Sequence, residues 1–326
     1  MTETQMSRLK LFSKAALSVA FFAMSSLSNG QSFPAQPVKI VVPFAPGGST
    51  DTGARIINAK LAALWGQPVL IENRAGANTV IGTDFVAKAP ADGYTVLMTS
   101  TAFVVNPVMN SKLPYESTDL IPITVVSASP FAIVAASNFS AKSIKELIDI
   151  DRAKPGSVAF GTSDSSAALF GYLFNSLAKT SLESVSYKGA APMMVDLAGG
   201  HTSVAMAAVS SVQAQVKSGR VRILGISSNK PSALFPDAPA IATGEFADLN
   251  VATWFGLFAP KGTPRDVINK IQRDVAQVLN DPDIKKRFAD IGADVGGQTA
   301  EEFGSQVRSE MALWARVAKA ANIRPN

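Results

Sequence analysis

The sequence has no cysteine and only one histidine among its 326 residues. Without cysteine, neither a disulfide framework nor a thiolate metal site can form. The single histidine, His201, excludes a multi-histidine metal cluster, and because it follows two glycines we interpret it as a turn residue. The sequence therefore predicts a protein without a metal or a cofactor.

Charge is also sparse. Charged residues make up 17% of the chain, and Lys and Arg exceed Asp and Glu by only five, 30 against 25. This surplus is small and scattered, which argues against a nucleic-acid partner. Apolar residues make up 47%, a composition typical of a folded globular protein. A chain of 326 residues is long enough to form two domains.

Long hydrophobic runs are missing as well. No run beyond the first thirty residues approaches the roughly 20 apolar residues that a transmembrane helix needs. Residues 1–30 combine a basic start, a short apolar run at 15–27 and small residues at 28–30. This pattern predicts a secretory signal peptide over 1–30, cleaved near Gly30. An exported chain without cysteine fits a bacterial periplasm.

The chain is organised around the stretch from residue 38 to residue 55. Residues 39–42 (Lys-Ile-Val-Val) favour a buried strand, which two following prolines end. Gly47 and Gly48 allow a tight turn. Residues 49–51 (Ser-Thr-Asp) are good helix N-caps, and apolar residues then recur at helical spacing. The sequence therefore predicts a strand, a glycine turn and a helix N-terminus.

A helix N-terminus with unpaired N–H groups favours an anion. The spacing is neither a Walker A loop nor a dinucleotide fingerprint. We expect Asp51 to be a cap or first-turn residue, because a carboxylate aimed at the ligand would repel an anion. An ordinary turn that binds nothing is the alternative, and this stretch alone leaves it open.

The pattern continues as an α/β chain. Strands are predicted at 67–73 and 94–98 with a helix at 81–88, so the start reads β-α-β-α-β and predicts a parallel sheet. Ligands on such sheets lie beyond the carboxyl ends of the strands. The Gly47-Gly48 turn and the polar residues 99–101 both occupy such ends.

A second α/β unit follows an extended apolar segment at 120–136. Its predicted elements are a capping box at 143–146, a polar turn at 161–166 before a helix at 169–177, a helix after Pro192, and strands at 158–160, 184–187, 204–208 and 221–226. Residues 254–258 are predicted to lead the chain back from the second α/β unit to the first. Two helices then close the chain, one with Thr263 as N-cap and Pro264 at N1, the other capped at Thr299 with the apolar stripe Phe303, Val307, Met311, Trp314 and Val317.

Two α/β units joined by two crossing strands describe a periplasmic binding protein with a central cleft and a hinge. After the signal peptide 1–30, the predicted boundaries place domain one at 31–130 and 253–326. Domain two is predicted at 131–252.

Several segments resemble one family, the solute receptors of tripartite tricarboxylate transporters, also called Bug receptors. The matching segments are 37–51 (Pro-Val-Lys-Ile-Val-Val-Pro-Phe-Ala-Pro-Gly-Gly-Ser-Thr-Asp), 69–74 (Val-Leu-Ile-Glu-Asn-Arg), 76–77, 81–82, 92–95 (Asp-Gly-Tyr-Thr), 187–192 (Tyr-Lys-Gly-Ala-Ala-Pro), 196–200 (Asp-Leu-Ala-Gly-Gly), 254–260 (Trp-Phe-Gly-Leu-Phe-Ala-Pro) and 262–264 (Gly-Thr-Pro). They stand in family order and cover essentially the whole mature chain.

The resemblance implies a type II-like binding-protein fold and a small carboxylate ligand held by backbone N–H groups and bridging waters. It also implies membrane transporter subunits as partners; we expect a monomer. Together with the turns above, the candidate ligand-binding residues are Ala45, Gly47, Gly48, Ser49, Thr50, Ala77, Asn78, Thr99, Thr101, Thr162, Ser163, Ser166 and Ala190.

Three departures from the family pattern concern specificity. Asn78 and Thr79 stand where the family usually has glycines, Ala168 replaces a common histidine, and Ala207 replaces a common cleft-side aspartate. The family accepts several classes of carboxylate, so the resemblance does not identify the ligand. Two other functions stay open: a sensor component that signals to a kinase, and an enzyme on the same scaffold. The sequence has neither a nucleophile elbow nor paired catalytic carboxylates, which argues against the enzyme.

Overall fold

The computed structural model describes residues 33–320. Its contacts separate a unit at Met1–Ala35 from a second at Gln36–Asn326, and everything below concerns the second. The predicted signal peptide lies outside the described residues. Between residues 33 and 320, no helix is both long enough and apolar enough to cross a membrane.

The described chain alternates strands and helices. The strands are β1 (Val38–Val42), β2 (Val69–Asn73), β3 (Thr95–Ser100), β4 (Leu120–Ala136), β5 (Ala159–Thr162), β6 (Glu183–Ser186), β7 (Val204–Ala208), β8 (Val221–Ile226), β9 (Ala252–Pro260) and β10 (Asp294–Val295). The helices are α1 (Ser49–Trp65), α2 (Val80–Ala87), α3 (Ala102–Met109), α4 (Ile144–Ala153), α5 (Ser165–Ala178), α6 (Ala190–Ala198), α7 (Val209–Lys217), α8 (Arg265–Leu279), α9 (Pro282–Asp290) and α10 (Ala300–Ala320). Short 3₁₀ turns lie at Ser117–Asp119 and Gly244–Leu249.

The strands follow the order β2-β1-β3-β9-β4-β7-β5-β6, with β8 and β10 also pairing with β4. Pairing of β1 with β2 and β3 is parallel, as is pairing of β5 with β6 and β7. The connecting strands β4 and β9 run antiparallel to their neighbours. Parallel pairs require crossover helices, which is why each parallel group is covered by helices.

The long strand β4 belongs to both parts of the sheet. Residues 120–130 pair with β9, whereas residues 131–136 pair with β7 and β8. We call β1, β2, β3, β9, β10 and residues 120–130 the first half-sheet. We call β5 to β8 and residues 131–136 the second half-sheet. The predicted domain boundaries near 130 and 252 remain predictions.

Ser227 joins the two chain segments that cross between the half-sheets. Its Oγ accepts a hydrogen bond from the Phe131 N–H at 2.7 Å and donates to the Val251 carbonyl at 2.7 Å. Its N–H donates to the Phe131 carbonyl at 2.8 Å. The outgoing and returning chains are therefore tied to each other where they cross.

Aromatic side chains dominate the core of the first half-sheet. Phe303 of α10 lies edge-on to Trp254 and tilted against Phe258, with ring centroids 5.1 Å apart in each pair. Phe103 also packs against Phe258, with ring centroids 4.5 Å apart. Burying each such ring contributes about 1.5–3 kcal/mol. These contacts fix α10 and α3 on the sheet; of the predicted stripe on α10, the Val317 side chain lies outside the described residues.

Two helix starts differ from prediction. Gly48, in an extended conformation, is the N-cap of α1, so Ser49 begins the helix and Asp51 lies in its first turn. Pro264 is the N-cap of α8 instead of its first helical residue, because the Thr263 hydroxyl donates to the Pro260 carbonyl and holds the chain in a turn. The predicted capping box at Thr299 is formed by reciprocal hydrogen bonds with Glu302.

The sequence patterns did not predict four elements: α3, α7, α9 and β10. The helix α7 has no side-chain cap, and α3 contains Pro107, so neither carries a strong start or continuation signal. A signal for α9 was present, since Asp281 caps it and a proline follows at the first helical position.

Candidate functional site

Four helix N-termini converge on one pocket between the two half-sheets. They belong to α1 and to α5, α6 and α7. The pocket is lined by Phe44, Gly48, Ser49, Thr50, Phe131, Ser163, Asp164, Ala190, Ala208, Ser211, Thr253 and Phe255. About 350 Å³ of space lies between these residues, a figure that includes open solvent at the mouth.

The turn between β1 and α1 lies directly against the start of α6. A Cβ added to Gly48 would lie 3.7 Å from both the Cβ and the N of Ala190. Gly47 has a φ of 85°, which favours glycine, and a Cβ there would meet Ala191 at 3.6 Å. The Ala45 N–H donates to the Lys188 carbonyl at 3.0 Å. The two helix N-termini thus face the same pocket from opposite half-sheets.

Asp51 is turned into the first half-sheet. Its Oδ2 accepts hydrogen bonds from the Gly47 N–H and Arg55 Nε, both at 2.9 Å, and its Oδ1 accepts one from Asn73 at 3.0 Å. Burial raises the pKa of Asp51, but the hydrogen bonds from Arg55, Gly47 and Asn73 outweigh it and hold the pKa below its ordinary value. Asp51 is therefore ionised, and its hydrogen bonds stabilise the turn.

A cluster of serines connects α1 with α7. The hydroxyls of Ser49 and Ser211 lie 2.5 Å apart, and the Ser210 hydroxyl donates to that of Ser49 at 2.8 Å. The Ser210 N–H donates to Ser129 Oγ at 3.2 Å. Sequence reasoning missed Ser210 and Ser211, although they follow the carboxyl end of β7, the kind of position that singled out Gly47 and Gly48.

Asp164 caps α5 and is one of the residues that line the pocket. Its Oδ1 accepts hydrogen bonds from the Ala167 N–H at 3.0 Å and the Ser166 hydroxyl at 2.6 Å. Its Oδ2 accepts one from Ser100 on the first half-sheet at 2.8 Å. Sequence reasoning placed Asp164 inside the polar turn 161–166 but did not single it out, although aspartate is a preferred N-cap residue.

The remaining walls are apolar. Phe44, Phe131 and Phe255 are buried and border the polar helix ends. The lining contains no Lys, Arg or His. Within residues 33–320, no group of three or more His, Asp or Glu is arranged to hold a metal ion. Helix N-termini and hydroxyls therefore supply the polarity that could hold an anion here.

Of the predicted binding residues, Gly48, Ser49, Thr50, Ser163 and Ala190 line this pocket. Ala45 and Gly47 lie in the turn between β1 and α1 and are not among the lining residues. Thr162 lies in a neighbouring pocket. Ser166 is buried and donates to Asp164.

Thr99 and Thr101 lie away from the pocket lining. Thr99 is fully buried within β3, and its hydroxyl has no hydrogen-bond partner among the described residues. The Thr101 hydroxyl accepts a hydrogen bond from the Trp254 N–H at 3.0 Å and so fixes the β3–β9 junction. Polar character at the strand end predicted these two residues, but neither lines the pocket, and only the hydroxyl of Thr101 bonds to the backbone.

Ala77 and Asn78 line a second pocket, which shares Phe44 and Ser163 with the first. Ala77, Asn78 and Thr79 all have positive φ, at 45°, 48° and 76°. The Asn78 Oδ1 accepts a hydrogen bond from the Ser186 hydroxyl of the second half-sheet at 3.1 Å. This loop thus approaches the site from the side and contacts both half-sheets.

This architecture, with a pocket between two α/β parts joined by crossing strands, is that of a periplasmic binding protein. The predicted fold class is confirmed. Residues 54–323 match the model of the tripartite tricarboxylate transporter family receptor, and the chain belongs to that family. The resemblance found in the sequence is thereby confirmed.

Three relatives illustrate the similarity. The chain is 33% identical to protein BugT of Bordetella pertussis over 96% of this chain and 98% of that protein. A solved R. palustris protein with adipate is 31% identical, with a TM-score of 0.87 over 90% of this chain and all of that one. MatC from Rhodopseudomonas palustris, with bound malate, is 28% identical, with a TM-score of 0.83 over 87% of this chain and 99% of that one.

Proposed function

We propose that this protein is exported to the periplasm and captures a small carboxylate for the membrane subunits of a tripartite tricarboxylate-type transporter. One observation carries the proposal: the N-termini of α1, α6 and α7 meet at a pocket lined by hydroxyls and by no cationic side chain. Oriented N–H groups and helix dipoles stabilise a carboxylate without a counter-charge. The adipate and malate bound by two relatives support the same ligand class.

Capture is coupled to the approach of the two half-sheets. Gly48, Ser49 and Thr50 come from the first, whereas Ala190 and Ser211 come from the second. A carboxylate between them would contact both, so binding would favour the closed arrangement over an open one. The closed form is then the form that membrane subunits would recognise.

Native mass spectrometry of the protein purified from the periplasm tests the ligand class. We expect a bound small organic acid, released on denaturation. Calorimetric titration with a panel of carboxylates should then show saturable binding. A protein that co-purifies with no acid and binds only uncharged solutes would contradict the proposal. Loss of carboxylate uptake in cells lacking this receptor, restored by its gene, tests the transporter partnership.

A further inference from the structure

We propose that Asp164 selects the ligand: it favours a monocarboxylate that carries a hydrogen-bond donor away from its carboxylate, and disfavours a dicarboxylate. This inference rests on the proposed function, because it assumes that one carboxylate lies at the start of α1. It identifies the ligand class more narrowly than the family does.

The first argument concerns the hydrogen bonds that Asp164 has and the one that it lacks. A carboxylate offers about four acceptor positions. Ser166 and the Ala167 N–H occupy two on Oδ1, and Ser100 occupies one on Oδ2. Asp164 is 6% exposed, and it lines both the main pocket and the neighbouring pocket that contains Thr162. One acceptor position is thus left for a donor on the ligand.

The second argument concerns charge. No Lys, Arg or His lines the pocket, and Asp164 has no salt-bridge partner among residues 33–320. Its carboxylate already caps the N-terminus of α5, so a ligand anion is less favoured at that helix end. A second ligand carboxylate near Asp164 would meet a like charge among mostly buried residues, where screening is weaker than in water.

The third argument concerns the space between the two polar ends. Phe44, Phe131 and Phe255 are the large apolar side chains of the lining, so the body of the ligand between its carboxylate and its donor should be apolar. A hydrocarbon chain or ring gains by leaving water there, whereas a polar body would leave its own groups unpaired.

A matched six-carbon series tests the inference by calorimetry: hexanoate, 6-hydroxyhexanoate, adipate and 1,6-hexanediol. For the unmodified protein we expect 6-hydroxyhexanoate to bind at least tenfold more tightly than adipate, and more tightly than hexanoate. In Asp164→Asn the like charge is gone, so the preference for 6-hydroxyhexanoate over adipate should shrink at least tenfold. Asparagine can still accept the Ala167 N–H, and Asp164→Ser, which also keeps an N-cap group, provides a second uncharged variant.

Asp149→Asn is the matched control. It removes one exposed carboxylate from helix α4, which lies on the same half-sheet as Asp164. It should leave all four affinities unchanged. Thermal unfolding of each variant checks folding. Equal binding of adipate and 6-hydroxyhexanoate by the unmodified protein, or an unchanged ratio in both Asp164 variants, would overturn the inference.

The proposed function fails in a different way. If 1,6-hexanediol binds as tightly as 6-hydroxyhexanoate, the pocket does not recognise a carboxylate at all. That comparison does not involve Asp164, so the two failures are distinguishable. Binding of none of the four compounds would count against both.

Discussion

Asn106 and Ser165 join the two half-sheets through a buried hydrogen bond: the Ser165 hydroxyl donates to Asn106 Oδ1 at 2.6 Å. Asn106 is fully buried on α3, and Ser165 is the first residue of α5. The Asn106 amide also donates to the Asn78 carbonyl at 2.8 Å and to Thr79 Oγ1 at 3.0 Å. One side chain thus connects the left-handed loop at 77–79 with the helix that carries Asp164.

Replacing Asn106 by alanine should destabilise the protein. Asn106→Ala leaves the Asn78 carbonyl and two hydroxyls without their partner, and each buried polar group left unpaired costs about 1–3 kcal/mol. We expect the free energy of unfolding, measured with urea, to fall by about 2–4 kcal/mol in total. Asn110→Ala is the control, since Asn110 is partly exposed and donates only to the Asn106 carbonyl. Equal losses in the two variants would refute the connecting role of Asn106.

Substituting Gly48 tests the anion site. Gly48 has a φ of −81°, which valine tolerates, but the valine methyls would enter the space next to Ala190. For Gly48→Val we expect carboxylate affinity to fall at least tenfold, about 1.4 kcal/mol. Stability should change by about 1 kcal/mol or less, the low end for overpacking. Ala63→Val, on the exposed side of the same helix, is the control. Unchanged carboxylate affinity in Gly48→Val would show that the ligand does not bind at this turn.

Asn78 has two interpretations: a ligand contact, or a residue that tolerates positive φ where relatives have glycine. The structure shows a φ of 48° and a contact with Ser186 across the half-sheets, in a pocket beside the main one. We therefore expect Asn78→Gly to weaken all carboxylates alike by about 0.5–1.5 kcal/mol, the net contribution of one hydrogen bond. Calorimetry with the panel of carboxylates distinguishes the two interpretations. A changed order of preference among the carboxylates would show that Asn78 contacts the ligand. Ser186→Ala removes the same bond from the other side and should match it.

Glu310 predicts a pH dependence of stability. Burial raises the pKa of its carboxyl above the ordinary 4.5, although hydrogen bonds from Gln306 and Trp254, each 2.8 Å long, oppose the change. The folded protein therefore holds this proton more tightly than the unfolded chain does. Its contribution to stability is complete below pH 4.5 and is lost as the pH rises through the folded pKa.

The variant Glu310→Gln keeps the shape and removes the titration. Its stability relative to the unmodified protein should increase from pH 4.5 towards neutral pH, as measured by urea unfolding at several pH values. Glu301→Gln on the same helix is the control, because Glu301 is exposed and pairs with Arg265 at the surface. A stability difference that stays constant with pH would show that Glu310 does not titrate in this range.

Export predicts removal of residues 1–30. The basic start, the short apolar run and the small residues at 28–30 are the three parts that signal peptidase substrates share. The intact mass of protein recovered from the periplasm should correspond to a chain that begins near residue 31. Recovery of a chain that retains Met1 would contradict it.

The local sequence determined much of this protein. The alternation of apolar strands and capped helices predicted the α/β class, and the glycine turn at 47–48 predicted a helix N-terminus open to a ligand. These features depend on residues close together in the chain, where turn chemistry and side-chain period act directly. The family resemblance rested on the same segments.

Only the tertiary structure decided which strand ends share a pocket. Ser211, Asp164 and Phe255 come from three distant segments, and no local pattern records that they meet. The same holds for Thr99 and Thr101, which were predicted as ligand contacts: neither lines the pocket, and the Thr101 hydroxyl bonds to the backbone of β9. Successive strand residues point to opposite faces, so the pairing of β3 with β9 and the crossing of β4 decide which hydroxyl reaches the pocket and which is enclosed.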